Sequence, residues 1–343
     1  MPSKLRIVRT VTLMLFVFGV FAGLIYTRVK AYSLAPEMKP ADFHGLPFWY
    51  VPLAYIWDYM SHGWICLLFA FVAAGLVYEF IPKGVINRYM SSGQAAGYAL
   101  AAGIAPFFTV CSCTMIPLFS GILYAGGGIG PAIAFLLMAP AANILTILLT
   151  GEMISWQIAT VRIFTSLTTA LVAGLVISRT PWGRNVDREH NRTISTRHSF
   201  SEIKVPLDER LLNALRFALY LGRQILPFFF AGLIAVSYVE ALLPEHIVAG
   251  YLTGMRGILA ASVIGGPLYT PTLVEIVLGR GLLNLGMSHA ALLSWLMGQP
   301  YDIPNMMAAS KIVKWRVVLT YAFIAWGFSV VSGLSYGLVI GEL

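Results

Sequence analysis

Read for apolar and polar positions alone, the chain is a succession of Leu/Ala/Phe/Val/Gly-rich runs parted by short polar breaks. None alternates with the two-residue period of a strand, so the runs predict helices, and their length predicts helices that span a bilayer. The first run, Val11 to Tyr26, lies between Lys4, Arg6 and Arg9 on one side and Arg28 and Lys30 on the other. Its charge layout resembles a secretory leader, but no small-x-small cleavage site closes it, and an uncleaved transmembrane helix is the expectation.

Beyond that helix the pattern is written twice. "AGLVYEFIP" ending at Pro82 parallels "AGLIAVSYVEALLP" ending at Pro244. Tyr89 then matches Tyr251, Pro106 matches Pro267, Leu137-Met138 matches Leu296-Met297, and Asn143 matches Asn305, at offsets between 159 and 162 residues. Constant order and spacing indicate duplication. Each half opens with a long apolar helix (52–81 and 211–243), continues through a short amphipathic piece and two interrupted apolar segments, and closes with another helix (154–178 and 317–340). The organisation expected is an N-terminal helix with its connection (1–45), a first membrane repeat (46–178), a basic linker (179–210) and a second membrane repeat (211–343).

Charge fixes the expected orientation. The linker carries seven Lys/Arg and, with Lys4, Arg6 and Arg9, belongs on the cytoplasmic side. Simple counting gives five spans before the linker, which would leave it outside. The conflict disappears if residues 98–124 enter the membrane and turn back, since about thirteen residues on either side of "CSC" reach about 20 Å when helical. The halves then become inverted repeats, with Lys311, Lys314 and Arg316 inside and Arg256 and Arg280 on the side that disfavours them; four crossings per half with no re-entrant segment is the alternative. The fold class expected is an all-α polytopic membrane protein of about 8–9 transmembrane helices in two inverted repeats, with broken helices and re-entrant hairpins, multi-pass in the inner or plasma membrane.

Composition agrees: of 343 residues, 58% are hydrophobic and 11% charged, which excludes an ordinary soluble domain. The net charge of +8 sits in loops, where it orients the chain in the bilayer and does not imply a nucleic-acid partner. The "AGGGIGP" stretch follows no strand and reads as a flexible connection, not a phosphate loop. No enzymatic signature and no cofactor are expected.

The breaks carry the candidate chemistry. "IAPFF", "TVCSCTMIP" and "MAPAANI" in the first half face "IGGPLYTPT" and "GQPYDIPNM" in the second. Unpaired backbone in lipid persists only where protein or a watery cavity satisfies it, so matched breaks point to a transporter's central site. Cys111 and Cys113 lie in the first break. On a helix, residues i and i+2 point about 200° apart, so two thiols at that spacing cooperate only on extended or turn backbone. Zinc fits poorly, because no Cys or His nearby in sequence completes four ligands, and no metal site is expected.

The second half carries acids instead. Glu275 aligns with Thr114 when Pro106 is set on Pro267, and Asp302 lies between two prolines. An acid at mid-bilayer costs about 2.5–3.5 kcal/mol, so it usually faces a cavity and works. For Glu275 a place near the interface, paired with Arg280, is the competing reading. Asn143 and Asn305 offer donors and acceptors to a polar solute. Arg162 and His289 read as interface anchors.

Around "TVCSCTMIPLFSGILYAGGGIGPAIAFLLMAPAANILTILL", and from about residue 50 to the C-terminus, the chain resembles the predicted permease family that includes ArsP, the efflux permease for trivalent organoarsenicals. A common form of that family has Gly after the second cysteine, where this chain has Thr114. The resemblance implies export of compounds such as methylarsenite, with Cys111 and Cys113 capturing arsenic. Hydroxyls on trivalent arsenic exchange for neutral thiols with release of water, so no thiolate is required.

The expected function is therefore a permease exporting a trivalent organoarsenical or related thiophilic metalloid, coupled to protons. Substrate contacts are expected from Cys111, Cys113, Thr114, Asn143, Asp302 and Asn305, and proton coupling from Glu275 and Asp302. Partners are the metalloid solute and the lipid bilayer, with homo-oligomerisation left open. A transporter or channel for a sulfur or selenium compound or a metal ion is the alternative. A membrane thiol oxidoreductase is disfavoured, because an i,i+2 disulfide is strained and no quinone or haem signature is present.

Overall fold

The computed structural model describes residues 3–34, 47–81, 86, 89–108, 112–198, 206–242, 251–266 and 272–343, and every structural statement below concerns these. They contain helices and no strands, in an all-α polytopic membrane protein. After α1 (Ser3–Leu34), the first half runs through α2 (Val51–Phe80), α3 (Ala95–Ile104) with a 3-10 turn (Ala105–Phe107), α4 (Ser112–Tyr124), α5 (Ile129–Ala141), α6 (Ile144–Met153) and α7 (Trp156–Arg179). Within the basic linker, residues Pro181–His198 form a helix, α8. The second half repeats the series: α9 (Leu207–Leu242), α10 (Gly254–Gly265), α11 (Thr272–Asn284), α12 (His289–Leu296) with a 3-10 turn (Gln299–Tyr301), α13 (Ile303–Ala309) and α14 (Trp315–Ile340).

Equivalent long helices α2 and α9 pack against each other and run antiparallel. Phe48 stacks on Tyr238, Tyr59 meets Phe229 and Tyr78 stacks on Phe217, at centroid separations of 4.4, 5.5 and 3.8 Å. At the far end Arg210 donates to the Glu79 carbonyl (2.9 Å). A repeat whose equivalent helices run in opposite directions is an inverted repeat.

The hairpins are re-entrant. Gly128 N–H donates to the Met90 carbonyl (2.7 Å), so the chain that enters through α3 leaves through α4 at the same membrane face. Ser288 N–H donates to the Leu252 carbonyl (3.0 Å), closing α10 and α11 in the same way on the other face. Both hairpins end in one turn: Gly126 and Gly286 take φ of 101° and 107°, a left-handed conformation natural to glycine, and donate to Leu123 and Leu283. The stretch expected to be a flexible connection is thus a hydrogen-bonded turn. The broken pair α5–α6 and the closing helices α7 and α14 are long and apolar enough to cross a membrane, and α12–α13 holds the place of α5–α6 in the second half.

Contacts sort the ends into two faces. One holds α8, the start of α9 and the start of α5: Asp187 of α8 accepts from Ile129 N–H (2.6 Å). Arg9 of α1 pairs with Asp208 of α9, which puts the start of α1 on that face too. The opposite face holds the ends of α6 and α14: Arg280 donates to the Met153 carbonyl (3.0 Å), and Glu342 accepts from Ala290 N–H (3.2 Å) and contacts His289 Nδ1 (2.8 Å). Among the described residues each half therefore has the same plan: a long helix, a hairpin, a broken helix pair and a closing helix.

Candidate functional site

The breaks stay stable because side chains take over the orphan backbone groups of each half-helix. In the first half α5 ends at Ala141, and Asn143 starts α6 as its cap, its Oδ1 accepting from Thr146 N–H (2.9 Å). In the second half Asp302 caps α13, its Oδ1 accepting from Asn305 N–H (2.8 Å). The two caps are structurally equivalent. Asn143 therefore corresponds to Asp302, and Thr146 to Asn305, in place of the Asn143/Asn305 match read from the sequence. The hairpins shift likewise: α4 and α11 have the same length and the same terminal turn, which sets Glu275 opposite Met115 and not Thr114.

The closing helices complete the correspondence. "WQIATVRIF" of α7 and "WRVVLTYAF" of α14 align Trp156 with Trp315 and Phe164 with Phe323. Arg162 then falls opposite Tyr321. Neither residue was singled out as part of the site, although this short alignment carries the signal.

Arg162 is no interface anchor. It is 0% exposed, and Glu275 beside it is 1% exposed. Its Nε–H donates to the Ala141 carbonyl (2.7 Å), at the broken end of α5. Nη1 donates to Thr150 Oγ1 (3.2 Å) of α6, and Nη2 to Glu275 Oε2 (3.3 Å) of α11. The guanidinium thus neutralises a buried acid and satisfies an orphan carbonyl at the negative end of a half-helix. Gln299 of the other break stands within hydrogen-bonding reach of Glu275. Glu275 is buried against Arg162, while Arg280 turns to Met153. The interface pair Glu275–Arg280 read as the competing possibility does not form.

The pseudo-equivalent site is built differently. Asp302 is 1% exposed and has no cationic partner among the described residues. Its Oδ2 accepts from Asn305 Nδ2 (2.6 Å), which leaves Asn305 Oδ1 buried without a partner. Tyr321, within electrostatic reach of Asp302, has a buried hydroxyl that is also unpartnered. A buried polar group left unsatisfied costs about 1–3 kcal/mol, so two beside one acid mark a place built to receive something.

The hairpin carrying the cysteines faces this second site. α4 packs against α13, as α11 packs against α6 in the mirrored arrangement. Thr114 is fully buried on α4. Cys113 lies on α4 as its second residue, so its backbone is helical where extended or turn backbone was expected. Cys111, the side chain of Cys113, and Pro267 lie outside the described residues. Cys66 is buried in α2, the helix that packs along α4. Pro304 approaches Gly232 of α9 so closely that a Cβ there would collide with it, which holds the start of α13 against the long helix.

A family model described as "ArsP_1: Predicted permease" matches residues 53–338. Among curated relatives, the UPF0718 protein MJ0584 of Methanocaldococcus jannaschii is 26% identical, over 82% of this chain and 94% of its own length. The UPF0718 protein YraQ of Escherichia coli is 22% identical, over 94% of both chains. No solved structure matches.

Proposed function

Because the chain belongs to this predicted permease family, we propose that it exports a small thiophilic metalloid solute, a trivalent organoarsenical foremost, through a site between the two repeats. The observation that carries this is the pair of unpartnered buried polar groups beside Asp302, Asn305 on α13 and Tyr321 on α14, with the cysteine-bearing α4 packed on α13. A polar acceptor site next to soft sulfur ligands suits a solute with hydroxyls on a thiophilic atom. Capture exchanges ligands without redox change: S–H and As–OH bonds break, an S–As bond forms, and water leaves. Asp302, lacking a cationic partner, is the acid that takes up and releases the coupling proton. The face holding α8 and the start of α1 is cytoplasmic, because it gathers the basic linker with Arg9.

The test is transport into inverted vesicles of methylarsenite and phenylarsenite, alongside antimony, selenium and sulfur compounds. Cys111→Ser and Cys113→Ser should each remove most arsenical transport, with the double variant little worse, because two groups acting as one unit give non-additive losses. Cys66→Ser should be nearly silent. Full arsenical transport by the double serine variant would remove the thiols from the site.

A further inference from the structure

The two repeats place equivalent positions in unequal states. At the first, Arg162 spends donors on Ala141, Thr150 and Glu275, so its polar groups are met from within the protein. At the second, the matching side chain is Tyr321, 1% exposed, and its hydroxyl meets nothing. Asn305, 5% exposed, is held to Asp302 through its Nδ2, which orients Oδ1 away from the carboxylate and leaves it without a donor. Both groups belong to elements that pack on one another, α14 with the 3-10 turn and with α13. Both side chains are buried while these two polar atoms stay without a partner.

Resting on the permease reading above, we propose that the Tyr321 hydroxyl and the Asn305 side-chain carbonyl form the specificity subsite for an uncharged, hydroxyl-bearing solute. Tyr321 supplies a donor and Asn305 an acceptor, the complement of a single hydroxyl group, which both accepts and donates. The charge around them sets the sign of the selection. Arg162 is cancelled by Glu275 and Asp302 stands without a cation, so this centre offers no net positive charge to an oxyanion. A neutral solute meets no such opposition. The subsite therefore admits a trivalent species in its neutral hydroxylated form and disfavours anions of similar size.

Tyr321→Phe in the full-length protein tests this with two readouts. A hydroxyl that binds only solute can be removed without loss of stability, so the thermal transition of the purified variant should match or exceed that of the parent. In vesicles, the KM for methylarsenite should rise about tenfold or more, because a site built to bond a hydroxyl loses its discrimination when one partner is deleted. A lower transition, or failure to fold, would show that the hydroxyl has a structural partner and would overturn the subsite. An unchanged KM in the variant, beside an active parent, would overturn it alone and leave the permease reading standing. A parent that moves neither arsenical removes that reading, and the subsite with it.

Discussion

At the residue scale, the two caps form a natural experiment. Asn143 and Asp302 hold the same place in the two repeats and accept from the backbone N–H three residues on, yet only one can carry charge. An N-cap accepts Asn or Asp about equally, so charge at this position is separable from capping. Asp302→Asn should therefore keep the cap and lose accumulation driven by a pH gradient, while passive exchange persists at a raised KM, because the Asn305 amide must turn over to accept from the new Nδ2–H. Asp302→Ala should in addition lose about 1 kcal/mol of stability with the cap. Uptake by vesicles with and without an imposed gradient checks this, and full gradient-driven uptake by the Asn variant would remove Asp302 as proton carrier. The breaks were legible in the sequence because prolines mark them. Their register was not: the second break holds a 3-10 turn where α5 runs on to Ala141, and this shift sets Asn143 against Asp302 and not Asn305.

At the element scale, the Arg162–Glu275 pair ties the inner arm of the second hairpin to the closing helix of the first half. Amphipathic pattern could not announce this, because a single Arg in an apolar helix reads as a boundary residue until its partner, 113 positions away, is known. A buried pair costs far more to halve than to delete. Arg162→Met or Glu275→Gln alone should destabilise the protein by about 3–5 kcal/mol, since each leaves one buried group uncompensated. The paired change Arg162→Tyr with Glu275→Met copies the residues of the opposite repeat, Tyr321 and Met115. It should recover most of that loss, because apolar replacement of a whole buried pair is often neutral. Thermal transitions of the three variants decide the point; a double variant no better than the singles would mean that the pair is not a self-contained tie. Gradient-driven transport by a stable double variant would further assign the ion pair to structure, and its loss would make Glu275 a coupling acid.

At the scale of the whole molecule, the basic linker and the count of apolar runs together demanded a re-entrant segment, and the hydrogen bond from Gly128 to Met90 closes one. Charge bias and backbone satisfaction in lipid are global constraints, which local helix propensity does not carry. The inverted arrangement has a direct consequence for accessibility. Leu285, at the turn of the second hairpin, and Arg188, on α8, are both exposed and lie on opposite faces. Single cysteines at these positions, on a background with Cys66, Cys111 and Cys113 replaced, should react differently with a membrane-impermeant maleimide. Leu285→Cys should be labelled on intact cells, and Arg188→Cys only after the membrane is opened. Labelling of both from one side would contradict the inverted fold itself. The reverse pattern would keep the fold and place the linker outside, so that the positive charge of α8 would no longer set orientation and the direction of export would have to be reversed.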